Sequence, residues 1–162
     1  MPAPPPTIRP PLDAELSAVL RLVAEVAIET YGAECPALAH ALRQDPSTEF
    51  GPPDSWRRSW VVDAGGALAG VVLVEGDRVS DLWIAAAHRS RGIGSALLAA
   101  AEARIAADGH EAARLTVVST NHRAHAFYRA RGWGEVGRRP SPRWSLPPYV
   151  DLAKQFRRPE AR

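Results

Sequence analysis

The sequence has few of the features that mark secreted or membrane-bound proteins. Its only cysteine, Cys35, cannot form an internal disulfide, and a lone thiol is typical of a reducing compartment. Residues 1–11 lack the apolar core of a signal peptide, and the longest strongly apolar run, residues 64–74, is too short to span a bilayer. We therefore expect a cytoplasmic protein that does not associate with a membrane.

An excess of charge of one sign is also missing. The chain carries 20 basic and 18 acidic residues, which gives a formal net charge of +2. This balance does not favour a nucleic-acid partner, although the pI of about 9.1 allows weak attraction to anions. The 162 residues show no internal repeat, and 46% of them are hydrophobic, which is typical of one globular domain. We place that domain at residues 7–156, between a disordered proline-rich lead-in at 1–6 and a C-terminal tail at 157–162.

The first half of the chain mixes helical and extended patterns. A short strand at residues 7–9 precedes a helix for which Asp13 is the expected N-cap, because apolar residues follow at helical spacing as far as Gly32. Pro36 opens a second short helix, and the proline-containing residues 47–55 are expected to form a loop. Glycine turns then separate three expected antiparallel strands, at 60–63, 68–75 and 79–85.

The second half opens with the strongest helical signal in the chain. Residues 93–107 are rich in alanine and leucine and are closed by Gly109. A buried strand at 114–119 and a helix at 124–131, ended by Gly132, follow. The remaining expected strands lie at 133–136 and 149–153.

The stretch HRSRGIGSALL at residues 88–98 links an expected strand to the long helix. A helix N-terminus presents unpaired amides and partial positive charge, and glycines such as Gly92 and Gly94 let an anion approach the backbone closely. Phosphate binding is therefore one interpretation. The other is that these glycines only shape a tight turn.

A dinucleotide-binding fold is a rival phosphate-binding interpretation, because Gly92 and Gly94 are spaced like the first two glycines of GxGxxG. That fold expects a small residue where Leu97 stands and an acidic residue at the end of the next strand, where this chain has VVSTNH. The strands before the turn also look antiparallel. We therefore disfavour a dinucleotide-dependent oxidoreductase.

Two segments carry a resemblance to a known family. Residues 89–94, RSRGIG, resemble the (Q/R)xxGx(G/A) motif of the GNAT superfamily of acyl-CoA N-acyltransferases. Residues 121–133, NHRAHAFYRARGW, resemble that family's NxxAxxFYxxxGF segment, with Trp133 in place of the last phenylalanine. The motifs occur in the family's order, and the resemblance runs from about Thr7 to Ala153.

The resemblance implies an α/β fold of the GNAT type, with a mixed, mostly antiparallel sheet, a splayed parallel pair at its centre and helices on both faces. It implies acetyl-CoA as cosubstrate, without a metal. The backbone of the strand before the turn would run beside the pantetheine arm, and Asn121, also an expected helix N-cap, would reach the CoA. The remaining implied cofactor contacts are the strand residues Leu82, Trp83 and Ile84, the bracing residue Arg89, and the turn residues Ser90, Arg91, Gly92, Ile93, Gly94 and Ser95.

Tyr128 matches the position of the family's usual general acid. A tyrosine with an ordinary pKa near 10 can protonate a departing thiolate whose basicity resembles that of cysteine, with a pKa of about 8.5. The alternative is that Phe127 and Tyr128 are ordinary core aromatics. We favour the catalytic role.

The general base is less well defined. Some family members carry a glutamate five residues before the asparagine, where this chain has Thr116. We name Asp81, on the strand that leads to the thioester, as the candidate base. The other candidates are Glu75, Glu29, Glu34 and an ordered water.

The remaining polar clusters carry weaker signals. His122 and His125 lie three residues apart without a third ligand, which favours a solvated helix face over a metal site. Trp144 is a candidate wall of the acceptor pocket. Three arginines between residues 138 and 148 could favour an acidic acceptor or keep a loop solvated, and we favour the solvated loop: Arg138, Arg139 and Arg143.

The sequence therefore predicts an N-acetyltransferase that moves an acetyl group from acetyl-CoA to a primary amine by direct attack in a ternary complex. The acceptor would be a small molecule or a peptide, and the protein a monomer or homodimer. The alternative is a non-catalytic acyl-CoA-binding regulatory module, which would keep the glycine turn and dispense with the acid.

Overall fold

The computed structural model describes residues 4–157, so the predicted lead-in and tail lie partly outside the described residues. The helices are α1 (Leu16–Tyr31), α2 (Pro36–Gln44), α3 (Ser47–Phe50), α4 (Ile93–Ala107) and α5 (His122–Arg129). The strands are β1 (Ile8–Arg9), β2 (Trp60–Ala64), β3 (Ala67–Glu75), β4 (Arg78–Ile84), β5 (Ala112–Val118), β6 (Gly134–Arg139) and β7 (Tyr149–Gln155).

The strands form one seven-stranded sheet in the order β1-β2-β3-β4-β5-β7-β6. Each pair of neighbours is antiparallel except β4 and β5, which are parallel. Helices α4 and α5 cover one face, while α1 and α2 lie on the other. This architecture confirms the expected mixed sheet with a parallel pair at its centre.

Strands β4 and β5 are paired only where they enter the sheet. Arg78 is in register with Arg114, and the Arg114 N–H donates to the Asp77 carbonyl over 2.9 Å. No further pair joins the two strands within the described residues. Beyond this point they diverge, which opens a gap in the middle of the sheet.

A β-bulge in β4 accompanies this divergence. In the register with β3, Val79 is opposite Val74 and Asp81 is opposite Leu73. Ser80 is therefore an extra residue without an opposite partner. Val79 and Leu82 both pack on the α4 side although they are three positions apart, which regular alternation does not allow. Because a bulge bends its strand and strengthens the local twist, Ser80 turns the end of β4 away from β5.

Apolar layers on both faces hold the sheet in place. On the α4 side, Leu97, Leu98 and Ile105 are almost fully buried against the inner strands. On the α1 side, Val19 and Val23 are completely buried against β2 and β3. Burying an aliphatic side chain of this size contributes roughly 1.5–3 kcal/mol, so both layers are major sources of stability.

The segment at residues 140–148 packs across α2 and α3. The Trp144 indole N–H donates to Glu49 Oε2 over 2.6 Å, and the Trp144 carbonyl accepts from the Cys35 thiol over 2.7 Å. Trp144 and Ser145 both have left-handed backbone angles, with φ of 68° and 50°. Such angles are uncommon outside glycine, so these contacts hold the segment in a conformation that costs free energy.

The start of α1 differs from the sequence prediction. Asp13 lies inside a short 3-10 turn and pairs with Arg57 instead of capping the helix. Glu15 takes over part of the capping role, because its Oε1 accepts the Leu12 N–H over 2.8 Å. The pairing with Arg57, far away in the sequence, explains why the local pattern misassigned Asp13.

The expected loop at 47–55 is largely helical. Asp45 accepts from the backbone N–H and the hydroxyl of Ser47, which starts α3, and a 3-10 turn at Pro53–Trp56 follows. Trp56 is 1% exposed and its indole N–H donates to the Phe50 carbonyl over 3.0 Å. This tertiary burial overrides the local tendency of the prolines to form an open loop.

Candidate functional site

A cavity of about 590 Å³ lies where β4 and β5 diverge. Strand β4 forms one wall, β5 and the start of α5 form another, and the turn before α4 closes one end. Every site residue predicted from the sequence lines this cavity except Arg91, which is exposed and lies outside it. The lining residues from that set are Asp81, Leu82, Trp83, Ile84, Arg89, Ser90, Gly92, Ile93, Gly94, Ser95, Asn121 and Tyr128.

The turn before α4 presents its amides to the cavity without a side-chain cap. Ser90 and Gly92 have positive φ of 62° and 79°, and Gly92 is the N-cap of α4 with no side-chain capping bond. A Cβ on Gly92 would meet no atom within 4 Å, so the φ angle, and not crowding, requires glycine there. The first amides of the helix therefore remain available to an anion.

Arg89 ties this turn to α1. Its Nη1 forms an ion pair with Glu29 Oε1 at 2.5 Å, while its Nη2 is buried without a hydrogen-bond partner in the described residues. The Nδ1 of His88 is likewise buried and unpartnered. Both residues line the cavity, so this end of it holds polar nitrogens that a bound anion could satisfy.

Asn121 caps α5 and is held by a second contact. Its Oδ1 accepts the Ala124 N–H over 3.2 Å, and its Nδ2 donates to the Tyr31 hydroxyl over 3.0 Å. Since the Tyr31 oxygen is the acceptor in this bond, its own proton remains free to donate elsewhere. The predicted capping role of Asn121 is thus present in the structure.

Tyr128 lies beneath the gap between the strands. Its side chain is 9% exposed and makes edge contacts with Phe127 and Trp133, at centroid distances of 5.1 and 5.9 Å. The hydroxyl has no hydrogen-bond partner in residues 4–157. Burial raises the pKa of this phenol well above its ordinary value, and the nearby Tyr31 and Asp81 raise it further. Tyr128 therefore keeps its proton across the neutral pH range.

Asp81 faces the same cavity from β4. Its Oδ1 accepts the Trp83 indole N–H over 2.9 Å. Burial raises the pKa of this carboxyl to about 6, with a smaller contribution from the charge of Glu75. A carboxyl with this pKa is mostly ionised at pH 7 yet basic enough to take a proton.

The other carboxylates considered as bases lie outside the cavity lining. Glu29 is paired with Arg89, and Glu34 accepts the Thr120 hydroxyl at 3.0 Å. Glu75 is exposed at the end of β3. Of the four candidate carboxylates, Asp81 alone lines the cavity.

Family comparison agrees with this arrangement. The profile of the acetyltransferase (GNAT) family matches residues 20–133. The chain belongs to this family. The matched region runs from α1 through the glycine turn to Trp133, and so covers both motifs and the whole cavity lining. No curated protein sequence matches the chain.

Solved structures of other GNAT proteins share the fold. A GCN5-related N-acetyltransferase from Rhodopseudomonas palustris matches with a TM-score of 0.78 at 16% identity, over 96% of this chain and 99% of that one. The PaiA N-acetyltransferase of Thermoplasma acidophilum, in complex with coenzyme A, gives 0.73 at 18% identity over 93% and 98%. A ribosomal-protein-alanine N-acetyltransferase from Brucella melitensis gives 0.65 at 19% identity over 93% and 99%. Because the identities are this low, the matches establish a common fold and nothing more specific.

Two cavity residues of this GNAT protein escaped the sequence motifs. Tyr31, at the end of α1, contacts Asn121 across 90 positions of sequence. Arg131 stacks on the Phe127 ring, 3.9 Å from its centroid, and donates to the Ser95 hydroxyl at the start of α4. Both contacts depend on tertiary folding. Tyr31 lies outside the two motifs, and Arg131 stands at a variable position of the second motif, so neither was singled out from the sequence.

Thr116 stands where some GNAT proteins carry a glutamate, and its hydroxyl is fully engaged. It donates to Asp151 Oδ1 over 2.7 Å and accepts from Arg78 Nη1 over 3.1 Å and from Arg139 Nη2 over 3.2 Å. Arg138 and Arg139 both belong to β6, so the predicted loop is wrong for these two residues, whereas Arg143 lies outside the strand. These contacts lower the pKa of Asp151, which makes it a poor proton acceptor.

The described residues contain neither a metal-binding cluster nor a membrane-spanning helix. Across residues 4–157, no three His, Cys, Asp or Glu side chains come together in a group that could hold a metal ion. In the same span of chain, no helix is long and apolar enough to cross a membrane.

Proposed function

We propose that this GNAT protein is an N-acetyltransferase that moves an acetyl group from acetyl-CoA to a primary amine. The observation that carries the proposal is the meeting of Asp81, Tyr128 and the glycine turn on one cavity. These groups supply a base, an acid and an anion site, which are the three requirements of amine acylation by an acyl-CoA.

Acetyl-CoA would supply an activated thioester. The amides at the start of α4 suit its pyrophosphate, because they lack a side-chain cap and Gly92 leaves their approach open. Arg91 is exposed beside this turn, where it would contribute charge without lining the cavity. The backbone of Leu82, Trp83 and Ile84 would run alongside the pantetheine arm, since β5 has moved away and no longer pairs with them.

Asp81 would serve as the general base. An amine of lysine-like basicity, with a pKa of about 10.4, is mostly protonated at pH 7, so it must lose a proton before it attacks. Asp81 is ionised above its pKa of about 6 and can accept that proton, directly or through water. The amine nitrogen then bonds to the thioester carbonyl carbon as the carbon–sulfur bond breaks.

Tyr128 would return a proton to the departing sulfur. Its raised pKa ensures that the phenol is protonated when the thiolate leaves. The absence of a hydrogen-bond partner for its hydroxyl in residues 4–157 leaves the proton free for this transfer. Holding amine and thioester together in one cavity removes the need for a covalent enzyme intermediate.

A thiol-release assay with acetyl-CoA tests the proposal. Polyamines, aminoglycosides, amino acids and peptide N-termini are offered in turn, and mass spectrometry identifies any acetylated amine. We expect amine-dependent release of CoA that is lost in Asp81→Asn. Tight CoA binding by calorimetry, without transfer to any amine, would instead establish the non-catalytic acyl-CoA-binding module.

Two further parts of the proposal concern the setting of the enzyme. The lone buried thiol of Cys35 supports a cytoplasmic location, because a reducing compartment preserves it.

We propose a single catalytic domain over residues 7–156, active as a monomer or homodimer. Sedimentation of the purified protein distinguishes these two states.

A further inference from the structure

Two arginines converge on one point of the cavity wall. Arg78 comes from β4 and Arg139 from β6, yet both donate to the Thr116 hydroxyl on β5, over 3.1 and 3.2 Å. We call Arg78 and Arg139 the arginine pair. Thr116 lines the cavity, so the pair lies immediately behind its wall.

This cluster has more positive than negative charge. Asp151 contacts Arg139, with Nε and Oδ2 3.2 Å apart, and it is the one carboxylate that joins the cluster by an ion pair in the described residues. Glu75 stands opposite Arg78 in the strand register but forms no ion pair with it. Two guanidinium groups therefore share one carboxylate, and their mutual repulsion is only partly offset.

The arginine pair also has donors to spare. Arg78 uses Nη1 on Thr116, and its other nitrogens have no partner in residues 4–157 but are not sealed from solvent. Arg139 commits Nε and Nη2 to Asp151 and Thr116, which leaves Nη1 free. Its guanidinium also lies over the Tyr149 ring, 5.3 Å from the centroid, which restricts its motion. Guanidinium groups that are held in place and keep donors open to solvent are well suited to binding a carboxylate.

The position of the pair relative to Asp81 indicates the shape of the ligand. Thr116 points to the sheet face opposite Leu115 and Val117, which pack under α4. Trp83, the hydrogen-bond partner of Asp81, packs on that same opposite face against α1. A molecule whose amine approaches Asp81 therefore lies on the sheet face that carries Thr116 and, beside it, the arginine pair.

We propose that the acceptor carries a carboxylate close to its primary amine, as a free amino acid does, and that the arginine pair binds this carboxylate. The proposal rests on the proposed function, because it takes Asp81 to be where the amine binds. Arg78 and Arg139 are thus residues that determine acceptor specificity. If they only supported Asp151 and the sheet, their loss would affect all acceptors alike.

The test compares acceptors that differ only in the carboxylate. L-lysine is paired with cadaverine, and a series of amino acids is paired with the corresponding amino-acid amides. Arg78→Gln and Arg139→Gln should lower kcat/KM for the carboxylate-bearing member by roughly 10- to 100-fold, the range expected when a charge-assisted hydrogen bond is lost. The carboxylate-free member should change by less than about twofold, and Arg139→Lys should restore part of the loss.

Arg138→Gln is the matched control. Arg138 immediately precedes Arg139 on β6. Its guanidinium pairs with exposed Glu135 at 2.6 Å, away from Thr116. We expect its activity on both members of each pair to equal the wild type. Equal losses on both members in the two arginine-pair variants, or faster wild-type transfer to every carboxylate-free amine, would overturn the proposal.

A binding measurement separates this proposal from the proposed function. N-acetyl amino acids and N-acetyl alkylamines are titrated into the CoA-bound protein by calorimetry. We expect the N-acetyl amino acids to bind more tightly in the wild type, with the preference lost in Arg139→Gln. This outcome holds even if no acetyl transfer is detected, which would contradict only the proposed function. The absence of any carboxylate preference in binding would contradict the proposal about the arginine pair.

Discussion

The two walls of the cavity are built in different ways. On the α4 side, the polar groups come from one continuous turn at residues 89–95 and from the start of α5, and they include the uncapped backbone amides that open α4. On the α1 side, they are side chains from separate elements, such as Tyr31, Asp81 and Thr116, each held by a side-chain hydrogen bond. A wall of amides offers the same donors to every ligand, whereas a wall of side chains changes with each substitution. The wall on the α4 side is therefore suited to a cosubstrate that is always the same, and the wall on the α1 side to a particular acceptor.

Tyr128 lies between these walls, so its removal should have the largest effect and leave both walls intact. Tyr128→Phe keeps the ring contacts with Phe127 and Trp133. We expect kcat to fall by roughly ten- to a thousandfold, as is usual for a positioned acid, while acetyl-CoA affinity stays nearly unchanged. Stopped-flow thiol release and calorimetry measure the two quantities. Equal turnover under saturating acetyl-CoA would remove Tyr128 from the mechanism.

Asp81 tests the wall on the α1 side, because its raised pKa should affect how both the rate and the stability depend on pH. The pKa of Asp81 is about 6 in the folded protein, above the ordinary aspartate value. The folded state therefore binds this proton more tightly than the unfolded state, and its stability falls as the pH rises from about 4 to about 6. The rate should rise between about pH 5 and about pH 7, as the base loses its proton.

Asp81→Asn separates these two consequences. The amide oxygen can still accept the Trp83 N–H but cannot ionise. We expect the variant to be more stable than the wild type by about 1–3 kcal/mol at pH 7, with little difference at pH 4, and to lose most of its activity. Urea denaturation at both pH values measures the difference. A variant that is less stable at pH 7 would show that the ionised carboxylate stabilises the fold.

The amide wall can be tested with a matched pair of glycine variants. Gly92→Ala places a side chain at φ of 79° and should cost about 1–2 kcal/mol of stability, although its Cβ meets nothing within 4 Å. Gly94 lies inside α4, where a Cβ would make ordinary contacts with Phe127 at 3.5 Å. Gly94→Ala should therefore fold at least as stably as the wild type. Similar losses in both variants, measured by denaturation, would show that space rather than backbone angle limits the turn.

The smallest effect is expected at Cys35. Its buried thiol donates to the Trp144 carbonyl, and a serine hydroxyl can make the same bond. Cys35→Ser should retain turnover within about twofold, because direct transfer needs no thiol nucleophile. Intact-protein mass spectrometry after incubation with acetyl-CoA provides the check. An acetylated enzyme found in the wild type and lost in the variant would replace direct transfer with a covalent mechanism.

Local patterns in the sequence predicted most of the cavity wall on the α4 side. The predicted limits of α4 match the structure because glycines flank a long apolar helix, and Asn121 caps α5 as expected since a cap acts within three residues. Contacts between distant residues were not predictable. Asp13 pairs with Arg57 instead of capping a helix, and Arg139 of β6 reaches across β7 to Thr116 of β5. No spacing in the sequence indicates either partner, so the cavity wall on the α1 side could be described only from the fold.

The bulge at Ser80 has a consequence for how such a protein can change over time. Val79 and Leu82 face the same apolar layer only because Ser80 stands outside the regular alternation. Deletion of Ser80 would therefore leave every buried side chain of β4 on its present face and allow the strand to run straight beside β5. The loss of one codon would preserve the core while it closes the gap. We therefore expect a single deletion at this position to separate an open cavity from a closed one within the same fold.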